Sequence, residues 1–167
     1  MNLLRKSLKR LFSVFFTFFA KISCRNFKAG IKVNGPTILT KNVVFGKNIH
    51  FNGLRVYGKG KVFFGSNFHS GKNCKIITDV HNYEGNKLPY DETYIVKDVF
   101  IGDNVWLGMD VTILGGVTIG DGAIIQAGSV VVGDIERLSI AGGHPARVFS
   151  HRNESHYKSL VASESFF

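Results

Sequence analysis

From residue 31 onward, apolar side chains recur at every sixth position. Val33, Leu39, Phe45 and Phe51 keep this step. After a slip of one residue near Gly53 it continues through Phe64, Ser70 and Ile76, each preceded two positions earlier by Val62, Phe68 or Cys74. The step then stops, resumes at Ile95, and runs through Ile101, Leu107, Ile113, Ile119, Ile125 and Val131, with Thr93, Val99, Val105, Val111, Val117, Ala123 and Ser129 two positions ahead of each. A period of six suits neither one long strand, whose faces alternate every second residue, nor a helix of about 3.6 residues per turn. Short strands separated by turns satisfy it: each repeat sends two side chains inward, and Gly102-Asp103, Gly115-Gly116, Gly120-Asp121 and Asp121-Gly122 supply corners. Three such faces make one coil, so the pattern predicts an all-β chain folded as a parallel β-solenoid of about five coils over residues 29–148. The 19 glycines against three prolines agree with corners that need positive φ.

One stretch breaks the step: ITDVHNYEGNKLPYDETY, residues 77–94. Within it, residues 79–94 are expected to leave the coil as an excursion, and they carry His81, flanked by Asp79 and Asn82. Imidazole is the side chain best suited to accept a proton near neutral pH.

The ends follow other periods. Leu4, Leu8, Leu11, Phe15, Phe18 and Ile22 alternate spacings of four and three, which predicts a helix with one continuous apolar face within residues 1–28. Arg5, Lys6, Lys9 and Arg10 precede its apolar run, and Lys21, Arg25 and Lys28 follow. That run of ten residues, Leu11 to Ala20, falls short of the roughly 20 needed to span a bilayer, and no small-x-small cleavage site follows it. A basic amphipathic helix lying on an anionic membrane surface is expected, with packing on the body or a sister subunit as the alternative. At the other end, residues 149–167 read as a tail with a short helix around Tyr157, Leu160 and Val161 that covers the exposed edge of the last coil.

Charge sharpens the division. Residues 1–78 carry 15 Lys and Arg and no acid, whereas residues 79–167 carry six against all 12 acids, so halves of +15 and −6 underlie the net charge of +9. Such polarity points to an anionic partner: a membrane surface, phosphates of a cofactor or sugar carrier, or nucleic acid. The basic and aromatic stretch VYGKGKVFFGSNF imitates a nucleic-acid face, but Tyr57, Phe63 and Phe64 are better used in solenoid packing and subunit contact. Cys24 and Cys74, fifty positions apart, form neither a disulfide framework nor a metal-ligand pair, which suits reduced thiols in the cytoplasm.

IGDNVWLGMDVTILGGVTIGDGAIIQAGSVVVGDI, followed by AGGHPARV, resembles the hexapeptide-repeat acyltransferases, left-handed parallel β-helix enzymes that use acetyl-coenzyme A. The pattern is most similar to the sugar and polysaccharide O-acetyltransferases, among them the galactoside, maltose and streptogramin enzymes. The resemblance implies the left-handed sense of the coils, which parallel-crossover rules would have assigned the other way. It also implies a homotrimer with active sites between adjacent subunits. His81 matches the general base on the family's excluded loop, with Asp79 orienting the ring or holding the acceptor. Trp106 matches a tryptophan beside the active site, and Asn82 and His69 are candidates for acceptor contact. Gly108, Met109 and Ala127 match positions along the pantetheine arm, and Arg147 a cation near the nucleotide end. Gly133 replaces the lysine that many relatives carry before the Asp of the DI dipeptide, which weakens the phosphate contact there. No metal is expected: His50, His69 and His144 lack the short spacings of the zinc-binding β-helices. The resulting expectation is acetyl-CoA-dependent O-acetylation of a saccharide in the cytoplasm or at the inner membrane face. N-acetylation of a nucleotide-linked amino sugar, an antibiotic acceptor, and a non-catalytic binding solenoid are the alternatives.

Overall fold

A computed structural model describes residues 3–24, 26–28 and 30–167, with backbone alone for residues 3–6. Arg25 and the side chains of Leu4, Arg5 and Lys6, which the sequence assigns to the amphipathic helix and its cationic flanks, lie outside the described residues.

The chain begins with α1 (Leu3–Ser23) and then visits three faces, A, B and C, in cyclic order. The first coil comprises β1 (Lys32–Val33) on A, a single bridge at Ile38 on B, and β2 (Val43–Phe45) on C. The second is β3 (His50–Phe51), β4 (Leu54–Tyr57) and β5 (Val62–Phe64). In the third, β6 (His69–Ser70) and β7 (Cys74–Ile77) are followed by a hairpin, β8 (Asp79–His81) and β9 (Tyr94–Val96), before β10 (Val99–Ile101) returns to C. The fourth is β11 (Trp106–Leu107), β12 (Thr112–Leu114) and β13 (Thr118–Ile119). In the fifth, β14 (Ile124–Ile125) and β15 (Val130–Val131) precede a bridge at Ile135 on face C. Then β16 (Ser139–Gly142) closes on A, β17 (Arg147–His151) turns back antiparallel, and α2 (Glu154–Ala162) follows.

Every pairing along the coils is parallel and holds register, so inward residues stack on like residues. Val33, Phe51, Ser70, Leu107, Ile125 and Ala141 form one fully buried column on face A. Val56, Ile76, Ile113 and Val131 form another on B, and Phe45, Phe64, Ile101, Ile119 and Ile135 a third on C. The six-residue step is the distance from one face to the next, and the column is what it buries.

Three details depart from the sequence reading. Ile95 keeps the six-residue phase but is only half-buried and pairs with Val80 in the hairpin; inward stacking resumes at Val99. Six is a multiple of two, so a strand outside the coil can fall in phase with it. Corner chemistry also differs: Asn48, Asn67 and Asn104, rather than glycines alone, adopt positive φ between faces C and A, and their side-chain amides hydrogen-bond to one another from coil to coil at 3.0 and 2.9 Å. Finally, the edge of the last coil is covered by β17, paired antiparallel to β16, and α2 buries no residue. A backbone edge is satisfied by another strand's N–H and C=O groups, which a helix has already spent internally.

The first coil is covered differently. Across its open end lies α1, with Ala20 and the following Cys24 buried in the core and Phe16 packed against it. Ser13 Oγ donates to the Val33 carbonyl at 2.8 Å, and Ser23 Oγ accepts from the Leu39 amide at 3.0 Å. Two backbone groups of the first coil thus find partners in hydroxyls of α1.

Candidate active site

The hairpin leaves the solenoid at the corner between faces B and C, above a corner built to hold it. The slip near Gly53 is a coil one residue short into β4 followed by an enlarged corner, Tyr57 to Lys61. Gly58 there has φ +96°, and a Cβ on it would strike the side chains of Thr78 and Asp79. Thr78 Oγ1 donates to the Tyr57 carbonyl at 2.8 Å and accepts from the Gly60 amide at 3.0 Å. Asp79 Oδ2 accepts from the Lys59 amide at 3.1 Å. Asp79 thereby fastens the hairpin to the coil below it, and among the described residues no hydrogen bond joins it to His81.

Along β8, Asp79 and His81 project to one side and Val80 to the other, as strand alternation requires. His81 pairs with Tyr94 across the hairpin. Its ring is stacked on Tyr90, with centroids 3.9 Å apart and planes at 16°, and lies against Tyr94 at 4.5 Å. Lys59 Nζ lies over the Tyr94 ring, 4.3 Å from its centroid. The imidazole is therefore held by aromatic contact, and its Nδ1 is buried without a hydrogen-bond partner. A buried ring nitrogen without a protein partner leaves hydrogen-bonding capacity for a water or a ligand, which makes His81 a candidate for chemistry.

The loop beyond is organised by two residues. Asn82 donates its Nδ2 to Thr93 Oγ1 at 3.1 Å, its Oδ1 accepts from the Glu84 amide, and its carbonyl accepts from Gly85 and Asp91. Asn82 is thus occupied in closing the loop. Asp91, buried, accepts from the Thr93 amide at 2.8 Å, from Thr93 Oγ1, and from the Asn86 amide at 3.1 Å. The Thr93 hydroxyl and amide, then the Asn86 amide, hold its carboxyl below the usual carboxylate range. Sequence reasoning missed Asp91, Tyr90 and Tyr94 as site-builders; Asp-x-Thr at 91–93 is a signature of a side chain bonding its own backbone two residues on.

His69 and Trp106 stand elsewhere, adjacent in register on face A, with His50 below. Face A is opposite the B–C corner in a three-faced coil, so a single chain does not bring Trp106 or His69 to His81. A cavity of about 470 Å³ lies between this face and the α2 segment, lined by His50, His69, Trp106, Arg152, Tyr157 and Phe167 among others. His69 Nε2 accepts from Asn52 Nδ2 at 2.9 Å, and His50 Nε2 donates to Asn48 Oδ1 at 3.1 Å. Phe167 lies 5.3 and 5.4 Å from the two imidazole centroids. Burial pushes both histidines down from their ordinary pKa, with Lys32 and His69 adding to the effect on His50.

Gly108, Met109 and Ala127 line the corner between faces A and B. Gly71, Gly108 and Ala127 stack so closely there that a Cβ on Gly108 would stand 2.5 Å from the Ala127 nitrogen. Gly128 donates to the Met109 carbonyl at 2.7 Å, its own carbonyl meets the His144 ring, and the position a Cβ would take on it is open. Arg147 is exposed at the C-terminal end of this corner, and among the described residues its guanidinium bonds only to the neighbouring Ala146 carbonyl, at 3.2 Å. A narrow track of small residues ending at an uncommitted guanidinium fits a flexible, phosphate-ended ligand. Among the described residues no cluster of three or more His, Cys, Asp or Glu could hold a metal ion.

Residues 98–133 match the bacterial transferase hexapeptide family (six repeats). The chain is similar to a galactoside O-acetyltransferase of Lactococcus lactis, 37% identical over 119 residues that cover 71% of this chain and 57% of that protein. Among solved structures, a galactoside acetyltransferase in complex with coenzyme A aligns with a TM-score of 0.67 at 26% identity, covering 92% of this chain and 82% of the other. A hexapeptide-repeat acetyltransferase of Vibrio cholerae aligns at 0.71 and 23%, covering 90% and 88%, a likeness of fold. The chain spans a little over half the length of the curated relatives it matches.

Proposed function

The chain carries the bacterial transferase hexapeptide repeat, and on that premise we propose that it is an acetyl-CoA-dependent O-acetyltransferase acting on a saccharide hydroxyl. The acceptor would be a surface polysaccharide, its lipid-linked repeat unit or a sugar precursor, and the reaction cytoplasmic. In this reading the coils wind left-handed and three chains assemble, so that the B–C corner of one solenoid meets the A–B corner of a neighbour. The observation that carries the proposal is His81: an imidazole clamped by two tyrosines, with a buried unpaired nitrogen, on the one segment expelled from the coils.

Acetyl-CoA would supply the acetyl group as a thioester. Its pantetheine arm would follow Gly108, Met109 and Ala127, with Arg147 near the phosphates; the small residues, the open space at Gly128 and the free guanidinium support that placement. His81 takes the proton of the acceptor hydroxyl as its oxygen bonds to the acetyl carbon, and returns a proton to the departing sulfur, so thiol and ester are the net products. Tyr90 and Tyr94 fix the ring, and Asp91 holds the loop that carries Tyr90. Asp79 positions the strand, while Trp106 and His69 of an adjacent chain would shape the acceptor side. Incubating the purified protein with acetyl-CoA and a panel of sugars, nucleotide sugars and polysaccharides tests this: thiol release that depends on one saccharide class is expected, and its absence across the panel would reject the proposal.

A further inference from the structure

One face of α1 is committed to the first coil through Ser13, Phe16 and Ala20, so it is not free to fold back on the body. The opposite face has no partner among the described residues. It presents Leu11, Val14, Phe15, Phe18, Phe19 and Ile22 to solvent, with Leu11 and Ile22 each 66% exposed. Phe15 and Phe19 lie 4.8 Å apart and Phe18 and Phe19 5.7 Å, a continuous aromatic surface. On a helical projection Arg10 and Lys21, three turns apart, fall on the same border of this arc; among the described residues neither takes part in an ion pair, and Lys21 Nζ stands 5.9 Å from the Phe27 ring centroid. No helix among the described residues is long and apolar enough to cross a membrane.

We propose that α1 docks the protein on an anionic lipid bilayer, its phenylalanine face entering the boundary between headgroups and acyl chains and Arg10 and Lys21 meeting lipid phosphates. Apolar width beside a cationic border is the combination an interfacial helix needs. A second copy of the chain fits less well: α1 against α1 would oppose Arg10 and Lys21 to their own counterparts, and no acid occurs before Asp79 to relieve them. Because α1 lies across the open end of the first coil, docking stands the solenoid end-on. Coils then rise from the bilayer by about 4.8 Å each, and the hairpin leaves two steps, roughly 10 Å, above the first coil.

The test is flotation of the full-length protein with vesicles of phosphatidylcholine alone and of phosphatidylcholine with roughly a third phosphatidylglycerol, at low and high salt. Binding to the phosphatidylglycerol vesicles that weakens with salt is expected. Phe15→Glu/Phe18→Glu should lower it by about tenfold or more, and Arg10→Gln/Lys21→Gln by several-fold, with the melting temperature retained because these side chains face away from the core. Leu11→Gln/Phe18→Gln serves if the charged pair misfolds. Failure of the native protein to float with anionic vesicles would overturn the proposal, as would binding indifferent to the phenylalanine substitutions. A fall in solution mass for these variants, without loss of flotation, would assign the face to a second copy instead.

Discussion

Face A and the hairpin each present histidine to a candidate site, and they are built on opposite terms. On face A, His50 and His69 belong to the coil register; each spends its Nε2 on an asparagine, and both are covered by Phe167. On the hairpin, His81 belongs to no column; aromatic faces hold its ring and its Nδ1 is unpaired. A satisfied imidazole stabilises its surroundings, whereas one held in place with a nitrogen unspent keeps hydrogen-bonding capacity, as the proposed base requires. The site to test is therefore the one that the repeat excludes.

The comparison breaks most decisively at the base. His81→Ala should lower kcat by about 10²- to 10⁴-fold with assembly and melting temperature retained, since the residue lies outside the coils. His81→Asn should not restore the rate, because an amide hydrogen-bonds without accepting the proton. Near-normal turnover by His81→Ala would move the chemistry to face A, where His69→Gln is otherwise expected to change kcat by less than about fivefold.

A smaller loss, about tenfold to a hundredfold in kcat with KM for acetyl-CoA little changed, is expected for Asp91→Asn, which acts by positioning the loop. Its carboxyl sits below its ordinary range, so the order it imposes is complete above about pH 4 and is lost only as pH falls through the lower folded value. Amide exchange of Asn86 and Thr93 checks this: protection at pH 5 that disappears in stronger acid, and is weak at both in the variant.

Face A should respond to pH in a different window. Burial lowers the pKa of His50 and His69, so the folded state takes up fewer protons than the unfolded one. Their contribution is then fully present above about pH 6.5 and declines as pH drops toward the folded values. The melting temperature should fall across that window, and His50→Gln/His69→Gln should flatten the fall; an unchanged slope would show that the cavity cover does not depend on neutral imidazoles.

The least effect is expected from thiol reagents. Burial raises the pKa of Cys24, and that of Cys74 to about 11, so neither should react at pH 8 in the native protein, and both should in denaturant. Native labelling of Cys24 would mean that α1 lifts from the first coil, and of Cys74 that β7 opens.

Much of this organisation follows from the sequence by itself. The six-residue step named most of the inward residues from Val33 to Val131, missing Val56 at the slip and misplacing Ile95, because burial in a solenoid depends on which residues of each repeat point inward. The same regularity made the interruption at residues 79–94 visible and singled out His81. The sequence did not reveal what holds that histidine. Tyr94 reaches it through the antiparallel pairing of β8 and β9 and Tyr90 through the loop that Asp91 closes, while Gly58 and Lys59, on a corner some twenty residues earlier in the chain, brace Asp79 and Tyr94 beside it; none of these relations is periodic. For the same reason Trp106 and His69, conspicuous in the sequence, fall on the face opposite His81, since a coil separates its three faces in space however close they are in the chain. The two roles of α1 are likewise tertiary. An apolar helical period says that a face seeks burial, and only the docked helix decides that Ala20 and Phe16 find it in the first coil while Phe15 and Phe18 do not.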